Sequence, residues 1–297
     1  MRLRHIEVFQ AVLQAGSVSG AARLLNVSQP NVSRVLSHAE QQLGFTLFDR
    51  TPQGLIVTPE GRRLMPEVEA LFSHIQAIGF LADQLRQGEG QHVRIGSAHA
   101  LGHSVMAPVL VDFHRKMPAG TVELVTGHFN TLSQDLIQYK MDFALAFGEQ
   151  VSAELVSETL YSANMVALLP LDCPIEGPVT LKWLSENNLL MLQQQDPLGQ
   201  VLNRVLREQG LTPRASVHIK TYSVIADMVL AGGGVGVVDT FTAQRYIHQL
   251  NIVPVVETLP FEVILLSRRD QPQSQVGLAL QQLIRHKLWE LSEHIAG

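Results

Sequence analysis

The chain has a single cysteine, Cys173, among 297 residues. No intramolecular disulfide is open to it, and the reducing cytoplasm is the compartment this suits. Only 16% of residues are charged and 6% aromatic, against 46% hydrophobic, the balance of an ordinary soluble globular protein. No apolar run approaches the roughly 20 residues of a membrane-spanning helix. The opening MRLRHIEVFQAVL is basic, but Glu7 and Gln10 interrupt its apolar stretch and no cleavage site comes after it. It reads as an amphipathic helix, not a signal peptide, and no membrane partner is expected. The length suits two domains.

Excess positive charge is also missing: the net charge is −5, which argues against a generally basic nucleic-acid binder. The distribution is uneven. Residues 1–64 hold seven Arg and four acids, while the remainder carries 15 basic and 23 acidic residues. A mildly basic head on an acidic body is what a small DNA reader joined to a different kind of domain would show.

The stretch AARLLNVSQPNVSRVLSHAEQQLG (21–44) carries two apolar helical stripes broken at Asn26–Pro30. Ser17 is the expected N-cap of a helix from Val18 to Leu25, and the small Ala21 and Ala22 let another helix cross closely. Asn26 suits a left-handed turn residue, Ser28 a cap, and Pro30 the first turn of the next helix. Val32, Val35, Leu36, Ala39 and Leu43 form its buried stripe. Ser28, Gln29, Asn31, Ser33 and Arg34 crowd its N-terminal end and outer face. This is a helix-turn-helix pattern, whose second helix enters the major groove with its N-terminal residues against base edges. Short polar groups permit that approach: Gln bonds adenine, and Arg bonds guanine or phosphate. An ordinary solvated, capped helix face has the same composition.

Residues 46–61 favour the DNA reader. TLFDR, a Pro- and Gly-containing turn and LIVT read as a β wing, with Arg50 and Thr51 expected at its base, beside a minor groove or phosphate. Thr58 is expected to cap a helix opening Pro59-Glu60. Gly61 has no helical rationale, and a close backbone approach is its expected reason. Pro59 to Gly88 reads as one long helix with Leu64, Val68, Leu71, Ile75, Ile78, Leu81 and Leu85 as a seam for another helix, kinked or restarted at Pro66. Gly88 and Gly90 read as a hinge. From His92 onward strands and helices alternate, which predicts a mainly parallel sheet covered by helices on both faces, with no internal repeat.

LRHIEVFQAVLQAGSVSGAARLLNVSQPNVSRVLSHAEQQLGFTLFDR, with VTPEGRRL after it, closely resembles the LysR-type transcriptional regulators, and the length and layout extend the resemblance over essentially the whole chain. It implies an α/β protein with an N-terminal winged helix-turn-helix (1–58), a linker helix and hinge (59–90) and a two-lobed effector domain like a periplasmic binding protein (91–297). The lobes are expected at about 92–162 with 267–292, and at about 163–266. The implied partners are double-stranded operator DNA, a small-molecule effector and further copies in a homodimer or homotetramer; RNA polymerase is a further candidate. Gln29, Pro30, Ser33 and Arg34 match the DNA-contacting helix, Arg50 the wing, and Asn31 a variable base-reading position. His38 is left as a surface or phosphate-facing residue. DMVLAGGGVGVVD looks like the branch regulating lysine and opine metabolism, which suggests an amino-acid-like effector.

Ligands of parallel α/β sheets sit beyond the C-terminal strand ends, where helix N-termini offer free N–H groups. Ser97, Ala98, His99 and Leu101, then Asn130 and Thr131, Phe147, and Tyr222 and Ser223 meet this description; Gln193 to Asp196 and Asp239 face the same cleft from the other lobe. Ser97, Asn130, Thr131 and Ser223 are expected to hold a carboxylate or polar head, and an exposed Asp239 or Asp196 an ammonium group. Asn130, Thr131, Ser223 and Asp239 also read as simple helix caps. AGGGVGVVD fits no phosphate-loop spacing; Gly232 and Gly234 read instead as turning a helix into a strand. No metal-ligand spacing, nucleophile elbow or catalytic cysteine signature appears, so neither cofactor nor metal nor catalysis is expected. A constitutive DNA-binding protein without effector, and an enzyme fused to a DNA-binding head, are the alternatives.

Overall fold

The computed structural model describes the chain except residues 52–53, 88–91, 149–150, 214–216 and 296–297, and gives Arg50, Leu81 and Leu85, among others, by backbone only. The expected hinge glycines 88 and 90 therefore lie outside the described residues. Two units separate, Met1–Gly79 and Phe80–Gly297.

The first unit contains α1 (Leu3–Ala15), α2 (Val18–Leu24), α3 (Gln29–Leu43), the antiparallel hairpin β1 (Phe48–Thr51) and β2 (Gly54–Val57), and the start of α4 (Pro59–Gln87). Local chemistry sets each boundary. The Ser17 hydroxyl accepts from Gly20 N–H at 3.0 Å, Asn26 turns the chain with φ 52°, and Pro30 sits in the first turn of α3. Glu40 reaches from α3 to the start of the wing, accepting from Leu47 N–H at 2.8 Å and Phe48 N–H at 3.4 Å. The Thr58 hydroxyl accepts from Gly61 N–H at 3.0 Å and donates to the Thr46 carbonyl at 2.8 Å. A Cβ on Gly61 would lie 2.7 Å from the Leu47 carbonyl oxygen, so the glycine does allow a close backbone approach.

Val8, Phe9, Val12, Ala21, Val32, Leu36 and Ala39 form the core of this unit. The expected α4 seam divides. Val68 is buried in that core with Leu64 and Phe72 against it, whereas Ile75 and Ile78 are 41% and 68% exposed. Pro66 lies inside the helix, which starts at Pro59.

The second unit opens with β3 (His92–Ala98), the turn α5 (His99–Leu101), a π-helical stretch Gly102–Met106, α6 (Ala107–Lys116), β4 (Thr121–Gly127), α7 (Phe129–Ile137), β5 (Phe143–Phe147) and β6 (Leu155–Asn164). It continues with β7 (Val166–Leu169), α8 (Leu181–Glu186), β8 (Leu189–Leu192), α9 (Pro197–Glu208), β9 (His218–Ile219), α10 (Tyr222–Leu230), β10 (Val235–Val238), α11 (Thr240–Gln244) and β11 (Asn251–Pro254). It closes with β12 (Pro260–Arg268) and α12 (Gln275–Ile295).

Two five-stranded sheets result, ordered β4-β3-β5-β12-β6 and β9-β8-β10-β7-β11. In each, four strands run the same way, as a mainly parallel sheet requires, and the fourth in order runs against both neighbours, which makes the sheet mixed. The two lobes share one strand arrangement, although the antiparallel strand comes last in the first lobe's chain and first in the second's, and no repeat is visible in the sequence. The lobe boundary is corrected. β12 pairs with β5 and β6 along its length, so residues 260–266 belong to the first lobe, not the second. The chain crosses between lobes at Asn164–Met165 and Leu259–Pro260, where Met165 N–H donates to the Leu259 carbonyl at 2.9 Å. Gly232 and Gly234, with φ 78° and 136°, turn α10 into β10. A Cβ on Gly234 would meet the Asn188 carbonyl oxygen at 2.2 Å, so packing accounts for this glycine run.

In the first unit, buried His5 accepts from Arg2 N–H through Nδ1 at 3.3 Å and meets His38 Nδ1 through Nε2 at 3.1 Å. Both bonds hold together only when both rings are neutral, since a proton on His5 Nδ1 or His38 Nδ1 sets two donors face to face. Burial, then His38, the N-terminal amine and Arg2, hold His5 below its ordinary value. A base depressed on folding is protonated first in the unfolded chain, so stability is lost as pH falls below about 6.5. Hydrogen exchange of the Val8, Phe9 and Val12 amides, corrected for intrinsic rate, should show protection falling from about pH 7.5 to about pH 5.5. His5→Asn should remove that slope; an unchanged slope would assign it elsewhere.

Candidate functional site

The N-terminal end of α3 is set outward by its own stripe. Val32, Leu36 and Ala39 point into the core, leaving Ser28, Gln29, Pro30, Asn31 and Arg34 exposed and Ser33 half-buried. Ser28 stands at the N-cap position with no side-chain cap bond, so its hydroxyl is uncommitted to the helix. Pro30 brings no N–H to this helix end and the Asn31 N–H is held by the Ser28 carbonyl at 3.0 Å, so the exposed polar side chains are what it offers to phosphates and base edges. The wing differs from expectation. Arg50 pairs in register with Leu55 and Thr51 with Gly54, which puts both at the hairpin tip and not its base. The Thr51 hydroxyl donates to the Gly54 carbonyl at 2.9 Å. His38 is exposed as expected, but its Nδ1 is tied inward to His5.

In the second unit, Ala98, His99, Gly127, His128, Phe129 and Phe147 of the first lobe face Asp196, Pro197, Lys220, Thr221 and Tyr222 of the second across a narrow crevice. The crevice holds about 20 Å³, and a cavity of about 330 Å³ adjoins it past Phe129 and Pro197. Asn130, Gln195, Gln200, Arg204 and Glu262 supply the polar lining of that cavity. The crevice carries the denser chemistry, and the cavity supplies the room.

Asp196 is 7% exposed and caps α9: its Oδ1 accepts from Leu198 N–H at 3.0 Å, Gly199 N–H at 3.4 Å and the Tyr222 hydroxyl at 2.6 Å. Among the described residues nothing donates to Oδ2. Burial raises the Asp196 carboxyl, and the Tyr222 and backbone bonds oppose that rise. Burial and then Asp196 push the Tyr222 hydroxyl well above its ordinary value, so it remains a donor. The turn into α9 admits no side chain at Gly199, where a Cβ would stand 2.1 Å from the Gln193 carbonyl oxygen. α7 begins at Phe129 with His128 in the cap position and no side-chain cap bond, which leaves its first N–H groups open.

The expected effector residues divide accordingly. Ala98, His99, Phe147, Asp196 and Tyr222 line the crevice and Asn130 the cavity. Ser97 is fully buried, with its hydroxyl bonded to the Ala98 carbonyl at 3.1 Å, and Leu101 is fully buried in the core. Thr131, Gln193 and Ser223 line neither space. Asp239 is fully buried and caps α11, with Oδ1 accepting from Thr242 N–H at 2.8 Å and Oδ2 from the Thr242 hydroxyl at 2.7 Å. It is not the exposed carboxylate expected, because its capping role draws it inside. Gln195, within the expected stretch Gln193 to Asp196, lines the cavity, whereas sequence reading missed His128, Lys220 and Arg204. Placing the start of α7 at Phe129 would have marked His128 as a cap residue.

Residues 3–62 match the bacterial regulatory helix-turn-helix protein, lysR family, and residues 86–289 match the LysR substrate binding domain. The HTH-type transcriptional regulator DgcR of Pseudoalteromonas sp is 33% identical over 82% of this chain and 84% of its own. The transcriptional activator protein LysR of Escherichia coli (strain K12) is 29% identical over 92% and 89%. Full-length CbnR, solved in complex with its target DNA, superposes with a TM-score of 0.69 over 97% of this chain and 100% of that one; at 16% identity the likeness is one of fold.

Burial pushes the Asp239 carboxyl from 3.8 up to about 6, against the Thr242 bonds that lower it. A carboxyl raised on folding ionises first in the unfolded chain, so stability falls as pH climbs from about 4 to about 6. Asp239→Asn keeps a capping oxygen and removes the buried charge. Denaturant unfolding above pH 6 should show the variant more stable by up to about 3 kcal/mol, with the gain vanishing near pH 4. A less stable variant at pH 7 would show that the charged cap outweighs its desolvation.

Proposed function

This chain belongs to the LysR family of transcriptional regulators, and on that premise we propose which residues read DNA and which hold the effector. It is a DNA-binding regulator with an effector-binding domain. The reading of α3 as the base-reading element rests on its exposed polar end, Ser28 to Arg34, over a buried apolar stripe. Two heads, joined through the exposed Ile75 and Ile78 face of α4, read paired half-sites in the cytoplasm. Phosphate contacts set the register and base contacts the sequence.

The effector seat is the crevice around Asp196 and Tyr222, and Asp196 Oδ2 is the observation that carries it. A carboxylate oxygen held in a buried site with its partner oxygen fully engaged is a receptor for a cationic donor. The open N-terminus of α7 across the crevice suits a carboxylate. Together they suit a small amino-acid-like effector. No residue is assigned to turnover. The effector works by binding one lobe arrangement more tightly than another, which alters how the heads meet DNA.

Two measurements test this. Arg34→Ala should relax one operator base position by about 1–3 kcal/mol in competition binding; uniform loss over all sequences would make Arg34 a phosphate contact, and a footprint of one half-site would remove the pairing. Thermal unfolding of the full chain should respond to amino acids, with about 2.7 kcal/mol at 100 times the dissociation constant. Asp196→Asn should abolish that response. Stabilisation by plain carboxylates alone, or indifference to Asp196→Asn, would remove Asp196 as the ammonium partner.

A further inference from the structure

The same crevice gathers basic groups that its two hydrogen-bonded groups, Asp196 and Tyr222, do not explain. His99 opens the turn after β3 and His128 the start of α7, and their rings meet edge to face with centroids 5.0 Å apart. Lys220 faces them from the second lobe, between β9 and α10. His103, from the π-helical stretch, acts on His99 from behind. Asp196 is the one carboxylate lining the crevice among the described residues, and Lys220 is the weakest of the influences on it. Tyr222 faces Asp196 and remains a neutral donor.

Burial holds both imidazoles below their ordinary value. His103 and then Lys220 add to this at His99, and Lys220 and then His99 at His128. Lys220 of the second lobe thus faces two proton acceptors of the first, and protonating either costs Coulomb energy in a partly desolvated space. A negative group between them adds an attraction to each imidazolium that opposes both the burial and the Lys220 effects. It also favours the imidazolium, which donates from both ring nitrogens.

We infer that the effector carries an anionic group that seats between Lys220 of the second lobe and the His99–His128 pair of the first, and that seating it adds a proton to that pair. The inference rests on the crevice being the effector seat and adds a second charge to it, beyond the ammonium partner at Asp196. The anion bridges the lobes, pairing with Lys220 on one side and with the imidazolium it creates on the other. Its affinity therefore rises as pH falls toward the imidazole range.

The test tracks the His99 and His128 ring signals of the full chain by NMR through a pH titration, assigned with His99→Gln and His128→Gln. The probes are glutarate, glutamate and inorganic phosphate, with alanine as a control lacking a second acid. At least one of the three anions should raise both midpoints and bind about tenfold tighter at pH 6 than at pH 7 if one proton is taken up. Lys220→Gln, an exposed position that leaves the fold intact, should raise both midpoints without ligand and weaken the anion. If Lys220→Gln leaves the midpoints unmoved, or no anion shifts them, or binding is independent of pH, the inference is overturned. Alanine bound in an Asp196-dependent way alongside that result would leave the effector seat standing and dismiss the anion alone. No binding by any probe and no effect of Lys220→Gln would dismiss both.

Discussion

The second unit depends on an aromatic cluster where its lobes meet. Phe147, Tyr161 and Phe261 come from the first sheet, and Tyr222 and Phe241 from the second lobe. Their centroids lie 5.3 Å apart for Tyr161 and Phe241, 5.5 Å for Phe147 and Phe261, and 5.7 Å for Phe147 and Tyr222. Pairs at such spacing contribute about 0.5–1.5 kcal/mol each beyond burial. The cluster fuses the two lobes into one hydrophobic core that runs from Val93 to Leu288. Tyr222 is its outward member, with its ring in the cluster and its hydroxyl on Asp196. Polar chemistry in the crevice is therefore anchored on an apolar floor, and a ligand there acts on groups the core already holds in place.

That arrangement limits how the lobes move. β6 and β12 leave the first lobe as a hydrogen-bonded pair and remain bonded across the crossing through Met165 and Leu259. A free swing would break the pair, whereas twisting and bending of a two-stranded ribbon preserves it. Relative motion of the lobes is thereby confined to small shifts about the ribbon, since packed cores do not deform smoothly.

Local signals in the sequence were the most legible. Ser17, Asn26, Pro30, Thr58 and Gly61 act within a few residues of themselves, and their chemistry is written at their positions. β6, with the sequence LVSETLYSAN, was not legible: as an edge strand it exposes Ser, Glu and Thr, and only pairing with β12, about a hundred residues later, makes it a strand. The crevice was legible in half. Strand ends point to its segments, but Asp196 and Asp239 look alike in sequence, each standing just before a helix. One leaves Oδ2 without a donor among the described residues and the other spends both oxygens on Thr242. Lys220 comes after a two-residue strand, too short for any pattern.

The placement of β12 fixes an order of assembly during synthesis. The head is complete in sequence by about residue 79, and its contacts are local, so it can fold while the rest is being made. The second lobe's strands run from Val166 to Pro254 and lie wholly inside the first lobe's chain. The first lobe's sheet lacks its fourth strand until residues 260–268 emerge, and until then β5 and β6 have no strand between them. The nascent chain thus carries a finished DNA reader and a finished inner lobe beside an open sheet with unpaired edges. That interval, longer with slower translation of the inner lobe, is where aggregation threatens and where a chaperone would act.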